Sequence, residues 1–189
     1  KHYVYKHSDG SPREMEIFFP PNHDPAKSRA PGLILFHGGN WVGGSLAQFR
    51  VACAYFASRG MVCATANYRM LTKAEAKKLP PGESRKRVCV TDAKSAIRWF
   101  KQQAKELGLD PERLVIGGGS AGGHISALAT LNPGLNDPAD PKDVAIRPVV
   151  TDRSCVQCHA GVKEDQSMGA LVYIVPLDDA KPKPAARKN

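Results

Sequence analysis

Residues 114–124, Leu-Val-Ile-Gly-Gly-Gly-Ser-Ala-Gly-Gly-His, constrain this chain more than any other stretch. An apolar run ends in glycines, a serine stands among small residues, and a helix-forming run follows (Ile125-Ser126-Ala127-Leu128-Ala129). That order predicts a buried strand that turns sharply into a helix. Gly118 and Gly122 keep side chains out of the bend, where a Cβ would clash. Ser120 is left at a helix N-terminus, where unpaired amides and the helix dipole favour negative charge.

The residues before this stretch alternate between strand and helix patterns. Residues 14–19 alternate apolar and polar side chains, as a half-buried strand does, and Pro20-Pro21 ends them. Gly32-Leu33-Ile34-Leu35-Phe36 is continuously apolar, as expected of a strand covered on both faces. It empties into His37-Gly38-Gly39-Asn40-Trp41 and then Gly43-Gly44-Ser45. Leu46, Phe49, Cys53 and Phe56 recur at helical spacing, with Gly60 as the stop. Residues 61–66 predict a further strand, followed by Asn67-Tyr68-Arg69. Residues 72–87 are polar around Pro80-Pro81-Gly82 and predict an exposed loop. A helix is predicted from about Asp92 to Leu107, because Ala93, Ile97, Phe100, Ala104 and Leu107 share one face and Gly108 terminates it. Strand and helix therefore alternate, which implies an α/β fold: a mostly parallel sheet with helices on both faces.

Gly118-Gly119-Ser120-Ala121-Gly122 fits G-x-S-x-G, the nucleophile elbow, and it follows a predicted strand. Acyl transfer needs a nucleophile and donors aimed at the oxyanion, and a His-Gly-Gly turn offers amides with no side chain in the way. Together the two motifs resemble the α/β-hydrolase fold, and within it the esterases related to hormone-sensitive lipase and the bacterial acetyl esterases. The resemblance covers about residues 1–135 and rests on Leu33–Ser45, Asn67-Tyr68-Arg69, Asp92–Trp99 and Gly117–His124. It implies a serine hydrolase acting on carboxylic esters of short acyl chains, with no cofactor for hydrolysis. Ser120 is then the nucleophile, and the amides of Gly38, Gly39 and Ala121 form the oxyanion hole. His37 becomes a residue that orients the loop, and Trp41 packs at the pocket rim. Asn40 stands where the family often has a third glycine.

A hydrolase of this order needs an acid and then a histidine downstream of the serine. The residues after Ser120 do not read as the remaining strand–helix units, so no acid or base is assigned. His124 lies one helical turn past the serine and reads as structural. Asp137, Asp140 and Asp143 read as turn formers or caps. Truncation of a hydrolase domain, fusion to another segment or a reduced catalytic set would account for this, and truncation or fusion is the preferred reading. The chain then has an incomplete hydrolase core over residues 1–135, a linker over 136–146, an appendage over 147–180 and a disordered tail over 181–189. An inactive hydrolase fragment is one alternative. Within the appendage, residues 171–175 read as a strand.

The other alternative comes from Cys155-Val-Gln-Cys158-His159, which fits C-x-x-C-H, the c-type haem attachment motif. Two thiols at this spacing can bond one haem, and His159 can ligate its iron. Residues 144–177 resemble the short haem-c segments of bacterial sensor-type proteins. That resemblance implies covalent haem c held by Cys155, Cys158 and His159, with Met168 available as a further ligand, in an electron-transfer or sensor segment. A disulfide or redox pair and a zinc half-site fit the same residues. If the haem motif is real, an extracytoplasmic location follows.

The remaining cysteines, Cys53, Cys63 and Cys89, sit singly among apolar residues and read as small core residues. The net charge is +9, with positive clusters in residues 73–87 and 181–188. Neither cluster interleaves aromatics, so nucleic-acid binding is not expected; a small-molecule ester as partner is what the esterase resemblance implies. No apolar run approaches membrane-spanning length.

Overall fold

A computed structural model describes residues 1–132, Leu135, Asp137 and the backbone of 171–176. Strands β1 (His2–Ser8), β2 (Ser11–Phe18), β3 (Ala30–Phe36), β4 (Val62–Ala66), β5 (Leu109–Gly118) and β6 (Leu171–Pro176) form one sheet in the order β1-β2-β4-β3-β5-β6. The helices are α1 (Arg50–Ser58, after a single 3-10 turn at Leu46–Phe49), α2 (Lys73–Ala76), α3 (Arg85–Gln102), α4 (Ala104–Leu107) and α5 (Ala121–Leu131).

The centre of the sheet is parallel: β3 pairs in parallel with both β4 and β5. Outside that centre the pairing is antiparallel, between β1 and β2, β2 and β4, and β5 and β6. The sheet is therefore mixed, where the alternation of elements predicts a mostly parallel one. The reason is local. β1 and β2 form a hairpin closed by Asp9-Gly10, both at positive φ (52° and 70°), the two-residue turn that a right-twisted ribbon favours. The strand expected at 171–175 is present and lies along β5.

The burial pattern explains the apolar run of β3. Ile34 and Phe36 enter the main core with Ala64, Ala66 and Ile116, beneath Ala93, Ile97 and Phe100 of α3 and Ile125 and Ala129 of α5. Leu33 and Leu35 point the other way, into a smaller cluster with Cys53 of α1, Cys63, Phe49 and Phe56. Period-two alternation thus serves two cores at once, so every position must be apolar. Cys53, Cys63 and Cys89 are buried and unpaired, as small core residues should be. Burial pushes the Cys63 and Cys89 thiols up, Cys89 to about 12.

Two local signals extend the helices beyond the sequence expectation. Ser84 caps α3, its hydroxyl accepting the Arg87 amide at 3.2 Å, so the helix begins within the stretch expected as loop. Thr72 and Glu75 form a reciprocal capping box that closes α2 in the same stretch. Gly108, at φ 62°, ends α4 as a left-handed cap.

Candidate active site

β3 and β5 are neighbours in parallel, with Phe36 opposite Gly118 at their C-terminal ends. The chain leaves both strands at the same edge of the sheet, so the turn after β3 and the turn after β5 meet. Two contacts establish the meeting. The Gly119 amide donates to the Phe36 carbonyl at 3.3 Å. A Cβ placed on Gly38 would lie 3.0 Å from the Gly119 carbonyl oxygen and 3.4 Å from Ser120 Cβ.

Ser120 occupies the bend between β5 and α5 at φ 50°, ψ −117°, a conformation that costs a non-glycine residue about 1–3 kcal/mol. It is exposed. Its hydroxyl bonds to no other described residue. The glycines on either side are required by packing as well as by the turn. A Cβ at Gly122 would stand 1.9 Å from the Phe36 carbonyl oxygen, and one at Gly118 would stand 2.4 Å from the same atom. The first turn of α5 is therefore seated on the end of β3. Ser126 fastens the next turn: its hydroxyl lies 2.8 Å from the Gly117 carbonyl oxygen and 2.7 Å from that of Gly122. Sequence reasoning missed Ser126, because a serine inside a helix carries no marker of what lies beneath it.

The turn after β3 is held from below. His37 is fully buried, and its ring stacks on Tyr68 with centroids 4.4 Å apart. The Tyr68 hydroxyl donates to the His37 carbonyl at 2.8 Å, and burial pushes that hydroxyl's pKa well up. His37 Nδ1 lies 2.8 Å from the Gly38 carbonyl, which can only accept, so Nδ1 carries the proton. Burial holds the imidazole below its usual value, and hence neutral, despite that hydrogen bond. The turn then runs through positive φ at Gly39 (121°), Asn40 (52°) and Trp41 (61°).

Of the expected oxyanion donors, Gly38 is engaged elsewhere. Its amide donates to Gln48 Oε1 at 2.6 Å. Among the described residues, the amides of Gly39, Asn40 and Ala121 have no acceptor. Ala121 heads α5, so its free amide adds to the positive end of that helix.

Trp41 is half-buried and meets His124 edge-on at 5.3 Å, while Lys86 Nζ lies 4.5 Å above the Trp41 ring. Burial, followed by the Lys86 charge, lowers the His124 pKa. The His124 amide donates to the Ser120 carbonyl at 3.1 Å, a helical bond, and no hydrogen bond joins its ring to Ser120.

The carboxylates have other tasks. Asp92 is fully buried: Oδ1 accepts from Lys6 Nζ at 2.8 Å and Arg69 Nη2 at 2.9 Å, and Oδ2 accepts from Arg69 Nε and the Arg69 amide, each at 2.9 Å. Asp137, expected as a turn former or cap, is buried and forms an ion pair with Lys6. The cause is charge balance: the Lys6 ammonium is almost enclosed and draws a second carboxylate. Lys6, Asp9, Arg69 and Asp137 help line a cleft of about 400 Å³, none of whose lining residues belongs to either turn. Asp140, Asp143, Cys155, Cys158, His159 and Met168 lie outside the described residues. Among the described residues, none completes a triad with Ser120, and no group of histidine, cysteine and carboxylate side chains is arranged to hold a metal.

Comparison with known proteins points to one chemistry. The BD-FAE family model matches residues 15–159. The probable carboxylic ester hydrolase LipM of Mycobacterium tuberculosis is 34% identical over 130 residues, which is 68% of this chain and 27% of that protein. Ethyl acetate hydrolase of Pseudomonas putida is 34% identical over 150 residues, 78% of this chain and 43% of that protein. The chain thus spans less than half the length of these two relatives. Among solved structures, the apo form of Thermogutta terrifontis esterase 2 superposes with a TM-score of 0.68 at 40% identity, covering 78% of this chain and 52% of that one. The same esterase matches equally well in its form phosphorylated by paraoxon, at a TM-score of 0.68 and 39% identity over 78% of this chain and 54% of that one.

Proposed function

Since the chain belongs to the BD-FAE family of α/β-hydrolase esterases, we propose that it hydrolyses carboxylic esters of small molecules, with short acyl groups, through Ser120. The observation that carries this reading is the meeting of the two turns, which brings the Gly38 turn within van der Waals reach of the Ser120 side chain. Ser120 Oγ attacks the ester carbonyl carbon, and the carbonyl oxygen takes up the negative charge of the tetrahedral intermediate. Fixed amides oppose that charge at no reorganisation cost. Ala121 and Gly39 are two such donors. The bond between Gly38 and Gln48 favours Asn40, rather than Gly38, as the third, because one N–H serves one acceptor at full strength. Collapse of the intermediate breaks the carbon–oxygen bond to the alcohol, which leaves with a proton, and water then releases the acid from Ser120. The base that takes the Ser120 proton is not among the described residues.

Hydrolysis by such a site calls on no cofactor. For the segment carrying Cys155-Val-Gln-Cys158-His159, the motif supports a second reading, in which covalent haem c is attached there. A pyridine haemochrome spectrum after expression with haem-maturation machinery decides it, and a spectrum without covalent haem ends that reading. The extracytoplasmic location follows only with the haem.

The test of the main reading uses p-nitrophenyl acetate and butyrate. Ser120→Ala should lower turnover by about a thousandfold or more, and should abolish labelling by a fluorophosphonate probe. A Ser120→Ala protein that hydrolyses these esters as fast as the parent removes the assignment.

A further inference from the structure

We propose that Gln48 is a positioning residue for ester hydrolysis: its carboxamide fixes the Gly38 peptide and thereby aims the next two amides of the turn. The inference rests on the esterase reading above and adds to it a residue outside both motifs. Gln48 lies in the 3-10 turn ahead of α1, and its side chain returns to the junction of the two site turns. Oε1 accepts the Gly38 amide at 2.6 Å. Because an N–H can only meet the oxygen, this bond fixes which end of the carboxamide faces Gly38. Nε2 is thereby carried toward the elbow. It stands 3.2 Å from where a Cβ on Gly119 would sit, and 3.7 Å from where one on Gly38 would sit.

Two glycines beside a nucleophile have few ways to hold a single orientation, since a glycine peptide rotates more freely than any other. The His37 ring holds the carbonyl side of Gly38, and Gln48 holds its amide side. With both sides of Gly38 fixed, the conformation at Gly39 and Asn40 follows from the turn. Without the Gln48 bond the Gly38 peptide can swing, and the donors must be reordered at the moment charge develops. That loss falls on the transition state rather than on substrate binding.

The test uses the whole 189-residue chain and three versions of position 48. Gln48→Met keeps the length and bulk of the side chain but removes the acceptor. Its kcat on p-nitrophenyl butyrate should fall about tenfold with KM within about twofold, the signature of a lost transition-state contribution. Gln48→Glu keeps an acceptor for Gly38. Its carboxylate can accept the Gly38 amide as the carboxamide does, so its kcat at pH 7.5 should lie well above that of Gln48→Met and nearer the parent. Packing alone would favour Met, which keeps the bulk and adds no charge. A Gln48→Met protein as fast as the parent, or a Gln48→Glu protein no faster than Gln48→Met, overturns the proposal. If Gln48→Met does not fold, Gln48→Leu takes its place in the same comparison. Failure of the esterase reading is separately visible: a parent chain that takes no fluorophosphonate at Ser120 removes the reaction and Gln48's role with it. A labelled parent with an unaffected Gln48→Met removes only Gln48.

Discussion

At the scale of single residues, the site stores strain in the group it exposes. Ser120 sits at positive φ without a glycine's freedom, so Ser120→Gly should stabilise the fold by about 1 kcal/mol while abolishing turnover. Urea unfolding checks the first half and ester hydrolysis the second. The histidines give a second prediction. His37 and His124 are both held below the ordinary value of 6.5, first by burial and in His124 also by Lys86. Below that value the unfolded chain binds more protons than the folded one, so stability is complete above about pH 6.5 and is lost as pH falls through the range beneath it. Urea midpoints should drop from pH 7.5 to pH 5.5, and His124→Gln should reduce the drop without removing it. Ser120, Gly118 and Gly122 were legible in the sequence because their chemistry depends on near neighbours in the chain. Gln48 was not, since an exposed polar residue beside a helix start looks the same whether or not its side chain reaches another turn. Nor was the ion pair of Asp137, whose partner lies on the first strand.

Among the elements, β3 and β5 determine the site, because parallel register sets where their following turns meet. The parallel pairing was legible in the alternation of elements and in the glycines that follow both apolar runs, but the register itself was not. The seat of α5 on the end of β3 follows from it, and it tolerates no side chain at Gly122. Gly122→Ala should destabilise by about 3 kcal/mol or abolish soluble expression, as read by urea unfolding. The β1–β2 hairpin and the first turns of α3 were read less well from sequence. The Asp9-Gly10 turn signal was present, but β1 reads His-Tyr-Val-Tyr-Lys-His-Ser, with one aliphatic residue and a single buried position, Tyr5. In α3 the buried positions fill more than one face, with Lys94 and Arg98 among them, so hydrophobic periodicity alone began the helix too late.

For the molecule as a whole, the buried charge cluster around Asp92 joins distant parts of the chain. Asp92 gathers Lys6 of β1 and Arg69 after β4 onto the middle of α3, so three separate parts of the chain share one buried carboxylate. Asp92→Ala removes the carboxylate that Lys6 and Arg69 share, leaving Lys6 with Asp137 and Arg69 with the exposed Asp9, and should cost about 3 kcal/mol, read by urea unfolding. A Ser120 that still labels in whatever fraction stays folded would separate this cluster from the chemistry. The family match begins at Met15, past the whole of β1. A gene shortened to that boundary would encode both site turns and yet remove Lys6, the cation that Asp92 and Asp137 share. Anyone trimming this protein for expression should therefore treat its opening hairpin as foundation rather than as leader.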